Sequence, residues 1–155
     1  MSQHSACELC SSDGGEVLYR HATWRLVLVQ DANYPGFCRI ICNTHVKEMS
    51  DLPPQQRQQI MQACFKAEQV MRDVMQPEKI NLASLGNMTP HVHWHIIPRY
   101  LDDAHFPQPI WGTQQRQTDA TILAERLARL PALKTALSVA MAQLGQSPEP
   151  LKADS

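Results

Sequence analysis

Histidines stand at positions 91, 93 and 95 in the run PHVHWHIIPRY, residues 90–100, and alternate with Val92, Trp94 and Ile96. On an extended strand, residues two apart share a face. Three imidazoles therefore line one side, and the apolar set lines the other and belongs in a core. A single histidine on a strand is most often structural, but three in phase point to chemistry. Two chemistries suit the spacing. Two or three of the rings hold a catalytic zinc that activates water, or one ring is a nucleophile while its neighbours steady oxyanions. The context favours the second. Asn81, Ser84, Gly86, Asn87 and Thr89 lie just upstream, and a polar turn containing glycine offers amide and hydroxyl donors to a phosphate. A zinc hydrolase would also want an acidic partner within reach, and this strand has none before Asp102.

The 155 residues suffice for one domain with a real core. Short extended stretches are expected at Glu16 to Arg20, at Trp24 to Gln30 (WRLVLVQ) and at Cys38 to Cys42 (CRIIC). A turn at residues 33–36 separates the last two. The run SDLPPQQRQQIMQACFKAEQVMRDVM reads as a long helix. Pro53 and Pro54 suit its first turn, and Ile60, Ala63, Cys64, Ala67, Val70, Met71 and Val74 recur at helical spacing. INLASL and VHWHII follow as strands. From Thr118 the chain turns helical again, Pro131 divides it into two pieces ending near Leu144, and the last ten residues read as a loose tail. Strands, one long helix, then strands give an α+β class with a largely antiparallel sheet.

A formal net charge of −1 argues against a nucleic-acid polymer or an anionic membrane as partner, but leaves room for a small anionic ligand. No apolar run approaches a membrane span. The opening MSQHSACELC has neither a basic start nor an apolar signal core, so a cytoplasmic location is expected. Five cysteines is an odd count, which in a reducing compartment means thiols or metal ligands. Cys38, Cys42 and Cys64 read as core thiols, and His4, His21 and His105 as surface or loop residues. Cys7-x-x-Cys10 alone fits a redox pair, two plain thiols or half of a metal site.

HVHWHII follows the pattern His-φ-His-φ-His-φ-φ, with φ apolar, and so resembles the histidine triad (HIT) superfamily of nucleotide hydrolases and transferases. LVLVQDANYPGFCRIICNTHVKEMSDL resembles that family's strand–turn–strand segment, which ends in a histidine before the helix. INLASLGNMTPHVHWHIIPR resembles its active-site hairpin. The likeness covers residues 5–112, and the chain looks most like bacterial members described as diadenosine tetraphosphate hydrolase-like.

The resemblance implies a single HIT domain over residues 1–155, with a helical extension at 118–144. It implies hydrolysis of a nucleotidyl phosphoanhydride or phosphoramidate in which His93 attacks the α-phosphorus and forms a covalent nucleotidyl-histidine, His95 contacts phosphate oxygens or the leaving group, and Asp31 meets the ribose hydroxyls. With the polar turn it makes Asn81, Asn87 and Arg99 the substrate-binding candidates. Family members that carry zinc take two ligands from such a CxxC, one from the histidine ending the earlier segment and one from the first triad histidine. Those positions here are Cys7, Cys10, His45 and His91, and the zinc would be structural, with no organic cofactor. The partner is a small nucleotide, and the assembly a homodimer through the long helix, whose Met61, Met71 and Met75 add apolar surface. The chain departs from the pattern at Asn87-Met88, where a Gln followed by Ser or Thr often stands, and at Phe37, where many members have His. Arg99 and Trp111 are read as shaping leaving-group preference. The rival functions are nucleotidyl transfer to an acceptor other than water, a metallohydrolase, and a non-enzymatic nucleotide sensor.

Overall fold

The computed structural model describes residues 6–145; the expected loose tail and His4 lie outside the described residues. The chain opens with a one-turn helix, α1 (Glu8–Ser11), and continues through β1 (Glu16–Arg20), β2 (Trp24–Leu28) and β3 (Cys38–Cys42). A 3-10 turn (Met49–Asp51) leads into the long helix α2 (Pro54–Met75). Strands β4 (Lys79–Ala83) and β5 (His93–Arg99) follow, then α3 (Ala120–Ala128) and α4 (Leu130–Leu144). The sheet order is β1-β2-β3-β5-β4 with antiparallel neighbours throughout. The expected α+β class, an antiparallel sheet with one long helix and C-terminal helices, is therefore observed.

Alternation sorts the sheet into two faces. Trp24, Leu26 and Leu28 of β2, Cys38, Ile40 and Cys42 of β3, and Ile96 of β5 point into one core with α2 and α4. Helix α2 lies over β3, β4 and β5, and α4 packs beside it and over β1. Pro53 and Pro54 start α2 where missing N–H groups cost nothing. Its end is set by Gln76, whose φ of 50° closes the last turn before Pro77 stops the helix. Leu26, Ile96, Leu133 and Leu137 are fully buried, and truncating one to alanine costs about 2–5 kcal/mol. The opposite face carries Arg25, Arg39, His93, His95 and Arg99.

Two expectations need correction. The C-terminal helices break at Arg129 rather than at Pro131, which sits within the first turn of α4. Met71 and Met75 offer no surplus surface for a dimer, because α4 covers them and both are fully buried in the core. The three thiols expected in the core are there: burial pushes Cys38 and Cys64 up to about 12 and also raises Cys42. Among the described residues, no helix is long and apolar enough to cross a membrane.

Candidate active site

Strand β5 delivers His93 and His95 to the face away from the helices, while Ile96 is fully buried and Trp94 donates from Nε1 to the Met49 sulfur at 3.5 Å. Both histidines line a cleft of about 370 Å³. His93 Nδ1 lies 2.6 Å from the His91 carbonyl. A carbonyl only accepts, so Nδ1 carries the proton and Nε2 keeps its lone pair. Burial, with the charge of Arg39 adding to it, outweighs that bond and holds His93 below the usual imidazole range. Its ring stands edge-on to His95 at 4.9 Å. Arg39 faces His95 across the β3–β5 rung, and its Nε–H donates to His95 Nδ1 at 3.4 Å. A guanidinium cannot accept, so the proton of His95 sits on Nε2. Burial, then the neighbouring charges of His93 and Arg39, push His95 down to about 3, and the ring stays neutral.

The turn before the triad forms the opposite rim. Gly86 adopts φ +75°, a conformation side chains rarely take, and so carries the chain from β4 back toward β5. Asn87 lines the cleft; beside it Met88 is 96% exposed and presents a thioether where the resemblance would often place a hydroxyl. Trp111 closes another side, with its ring 4.9 Å from that of His95. Being half exposed, it belongs to the cleft rim and not to the core.

Three substrate-binding candidates lie elsewhere. Arg99 is buried, with Nε and Nη2 on the two Asp103 oxygens at 2.8 and 3.1 Å, and Nη1 on Asn81 Oδ1 at 2.7 Å. Its Nη2 also reaches the Gln108 carbonyl at 2.6 Å, and the rings of Tyr34 and Phe106 lie close to its guanidinium. Arg99 and the Oδ1 of Asn81 are thus engaged within the protein, in a network that anchors the 100–108 loop, and neither residue lines the cleft. Asp31 does not line the cleft, and its carboxylate accepts from the Asn33 N–H at 3.0 Å in the turn after β2. Arg39 is the cleft residue the sequence reading passed over. The available signal was its place as the one charged residue of CRIIC, out of phase with the strand's core positions.

At the other end of the triad, Cys7, Cys10, His45 and His91 bring their ligand atoms within 4.8 Å of one another. Cys10 Sγ is 3.2 Å from His45 Nδ1, and both sulfurs are 3.5 Å from His91 Nδ1. Metal–ligand lengths of about 2.3 Å to sulfur and about 2.0 Å to nitrogen put tetrahedral ligands about 3.5 Å apart, so the spacing fits one ion. His91 Nε2 donates to the Cys42 carbonyl at 2.6 Å, which leaves Nδ1 unprotonated and facing the thiols. Burial lowers the pKa of His91 in spite of that bond. Two elements hold the cluster together without an ion. Val92 N–H donates to the Val46 carbonyl at 2.7 Å and brings His45 alongside. Arg25, through Nη2 and Nε, takes the carbonyls of Leu9, Ser12 and Asp13, docking α1 on the sheet.

This fold and triad define a histidine triad protein, and comparison with known proteins agrees: the HIT domain family model matches residues 13–102, and the chain belongs to that family. Among curated relatives, the "AP-4-A phosphorylase" of Mycobacterium tuberculosis is 28% identical over 107 residues, 63% of this chain and 55% of the relative. The "Bis(5'-nucleosyl)-tetraphosphatase [asymmetrical]" of Schizosaccharomyces pombe is 29% identical over 95 residues, 58% of this chain and 52% of the relative. The chain thus spans about half the length of the curated relatives it matches. A histidine triad protein from Marinobacter aquaeolei VT8 superposes with a TM-score of 0.68, at 24% identity over 90% of this chain and 96% of that one.

Proposed function

We propose that the protein cleaves a nucleotidyl phosphoanhydride of the dinucleoside polyphosphate kind in two displacements at phosphorus. The observation that carries this reading is the 2.6 Å bond from His93 Nδ1 to the His91 carbonyl, which presents a neutral Nε2 lone pair in the cleft. Nε2 attacks the α-phosphorus, the P–O bond to the leaving phosphate breaks, and a nucleotidyl-imidazole forms. Water then attacks the same phosphorus, the P–N bond breaks, the water's proton leaves to solvent, and His93 returns to its starting state. One hard step becomes two easier ones, because imidazole leaves more readily than an alkoxide.

His95 supports the choice of anhydride. A neutral ring held near a pKa of about 3 gives hydrogen bonds from Nε2–H but has no spare proton to release. A phosphate leaving group, with a last pKa near about 6, departs as an anion. An amine leaving group, with a pKa of about 10, would need a proton this ring does not hold. The names of the two relatives point the same way. The phosphorylase name also keeps a second reading in view, transfer of the nucleotidyl group to an acceptor other than water, which product analysis decides.

The Cys7, Cys10, His45 and His91 donor set suits a structural zinc, with all four positions filled by protein. A bound zinc would tie α1 to the start of β5; the His91 carbonyl that orients His93 belongs to one of the proposed ligands. By family likeness the working unit is a homodimer. The test of the function is His93→Ala. Turnover of diadenosine tetraphosphate should fall by about 10⁴-fold or more while nucleotide binding largely survives. Near-normal hydrolysis by that variant would overturn the mechanism.

A further inference from the structure

Arg39 has no carboxylate within ion-pair distance among the described residues. Its Nε contacts His95, its Nη1 reaches the Gly14 carbonyl at 3.5 Å, and its plane lies over the Phe37 ring, 5.4 Å from the centroid. Nη2 makes no hydrogen bond to any described residue and is not sealed from solvent. The cleft wall therefore holds a cation that is half-buried and only weakly engaged. The only carboxylate among the cleft-lining residues, that of Glu8, makes no ion pair with it. Burial depresses the pKa of Arg39, and the charge of Glu8 offsets that only in part. An unpaired half-buried charge costs free energy that an anionic ligand removes.

We propose that Arg39 is both the positioning residue of His95 and the cation that receives a phosphoryl group of the substrate. By donating to His95 Nδ1 it fixes the tautomer whose Nε2–H points from the ring's free side, and through Nη2 it hydrogen-bonds a phosphoryl oxygen. His95 and Arg39 then form one unit, a neutral donor and a charged one side by side. The proposal rests on the nucleotide-hydrolase reading for its substrate, but the tautomer half stands without it.

The test uses Arg39→Met, which keeps length and apolar stem, and Arg39→Lys, which keeps charge. Nitrogen chemical shifts of His95, read by NMR on substrate-free protein, are expected to show Nε2–H in the wild type. In both variants they should show a mixture of tautomers. Affinity for adenosine monophosphate, read by calorimetry, should fall about 10- to 100-fold in Arg39→Met, the loss of one charge-assisted hydrogen bond. In Arg39→Lys it should fall less. In kinetics with diadenosine tetraphosphate, Arg39→Lys should retain KM more nearly than kcat, since charge is restored and tautomer control is not. An unchanged His95 tautomer in both variants, or adenosine monophosphate affinity within about threefold of wild type in Arg39→Met, would overturn the proposal. A wild type that turns over no polyphosphate would count against the hydrolase reading alone, because the tautomer and binding measurements need no turnover.

Discussion

Arg39 and Arg99 project from the same face of one sheet, yet their surroundings differ in kind. Arg99 has Asp103, Asn81 and the Gln108 carbonyl on its nitrogens and the rings of Tyr34 and Phe106 close to its guanidinium. Arg39 has a 3.4 Å bond to a neutral imidazole and a 3.5 Å contact to one carbonyl. The first is a buried ion pair that holds a loop, and the second is a cation whose partner is not part of the protein. The comparison teaches that the sign of a side chain says little about its role, whereas the saturation of its hydrogen bonds says a good deal. Strand β5 runs through both settings, from chemistry at His93 to architecture at Arg99.

The largest effect should separate the two arginines by what each variant loses. Arg99→Met leaves the fully buried Asp103 without its cation, and stability should fall by about 3–5 kcal/mol in denaturant titration. Activity per folded molecule should change little. Arg39→Met should do the reverse, keeping its melting temperature. Equal stability losses in the two variants would erase the distinction.

A second experiment sharpens the contrast at the other end of β5. Protein purified without chelator should carry close to one zinc per chain by metal analysis, and Cys7→Ser should remove it. The melting temperature should drop by several degrees, as a bound metal stabilises only the folded state. Because Arg25 docks α1 independently, the fold should survive. Absence of zinc from wild-type protein would argue against the site.

The smallest effect concerns acid. Burial alone would raise the Asp103 carboxyl, but hydrogen bonds from Arg99 and from the N–H groups of Tyr100, His105 and Phe106 outweigh it and bring it to about 2. An unfolded aspartate titrates near about 3.9. Its contribution is therefore complete above about pH 4 and is lost as pH falls toward 2. His95 acts earlier: the unfolded ring takes a proton near about pH 6.5 and the folded ring only near 3, so stability falls between those values on acidification. The stability gap between wild type and Arg99→Met should narrow below about pH 4. A gap independent of pH would assign the Arg99 effect to packing rather than charge.

Much of this was legible in the sequence, for reasons that differ by region. The period-two alternation of β5 and the three- and four-residue stripe of α2 are local patterns, so the sheet face of the triad and the buried side of the helix followed directly. The four metal-site residues were reachable only through family likeness, since Arg25 brings Cys7 and Cys10 to the sheet and the Val92–Val46 bond brings His45 to His91, both tertiary contacts. Arg99 was misread because its partner Asp103 lies in an irregular loop, where spacing carries no register. Met71 and Met75 were misassigned because the helix that covers them comes 55 residues or more after them in the chain, from Leu130 onward. Arg39 was passed over because a single charge in an apolar strand declares its face but not its neighbour across the rung.

The claim on which the rest depends is double displacement through His93, and stereochemistry at phosphorus tests it most directly. A dinucleoside polyphosphate made chiral at the α-phosphorus with sulfur would be hydrolysed in isotopically labelled water, and the configuration of the product nucleotide determined. Two in-line displacements, first by Nε2 of His93 and then by water, give net retention, and this is the expected result. Net inversion would mean that water attacks the substrate directly, and would contradict the covalent mechanism.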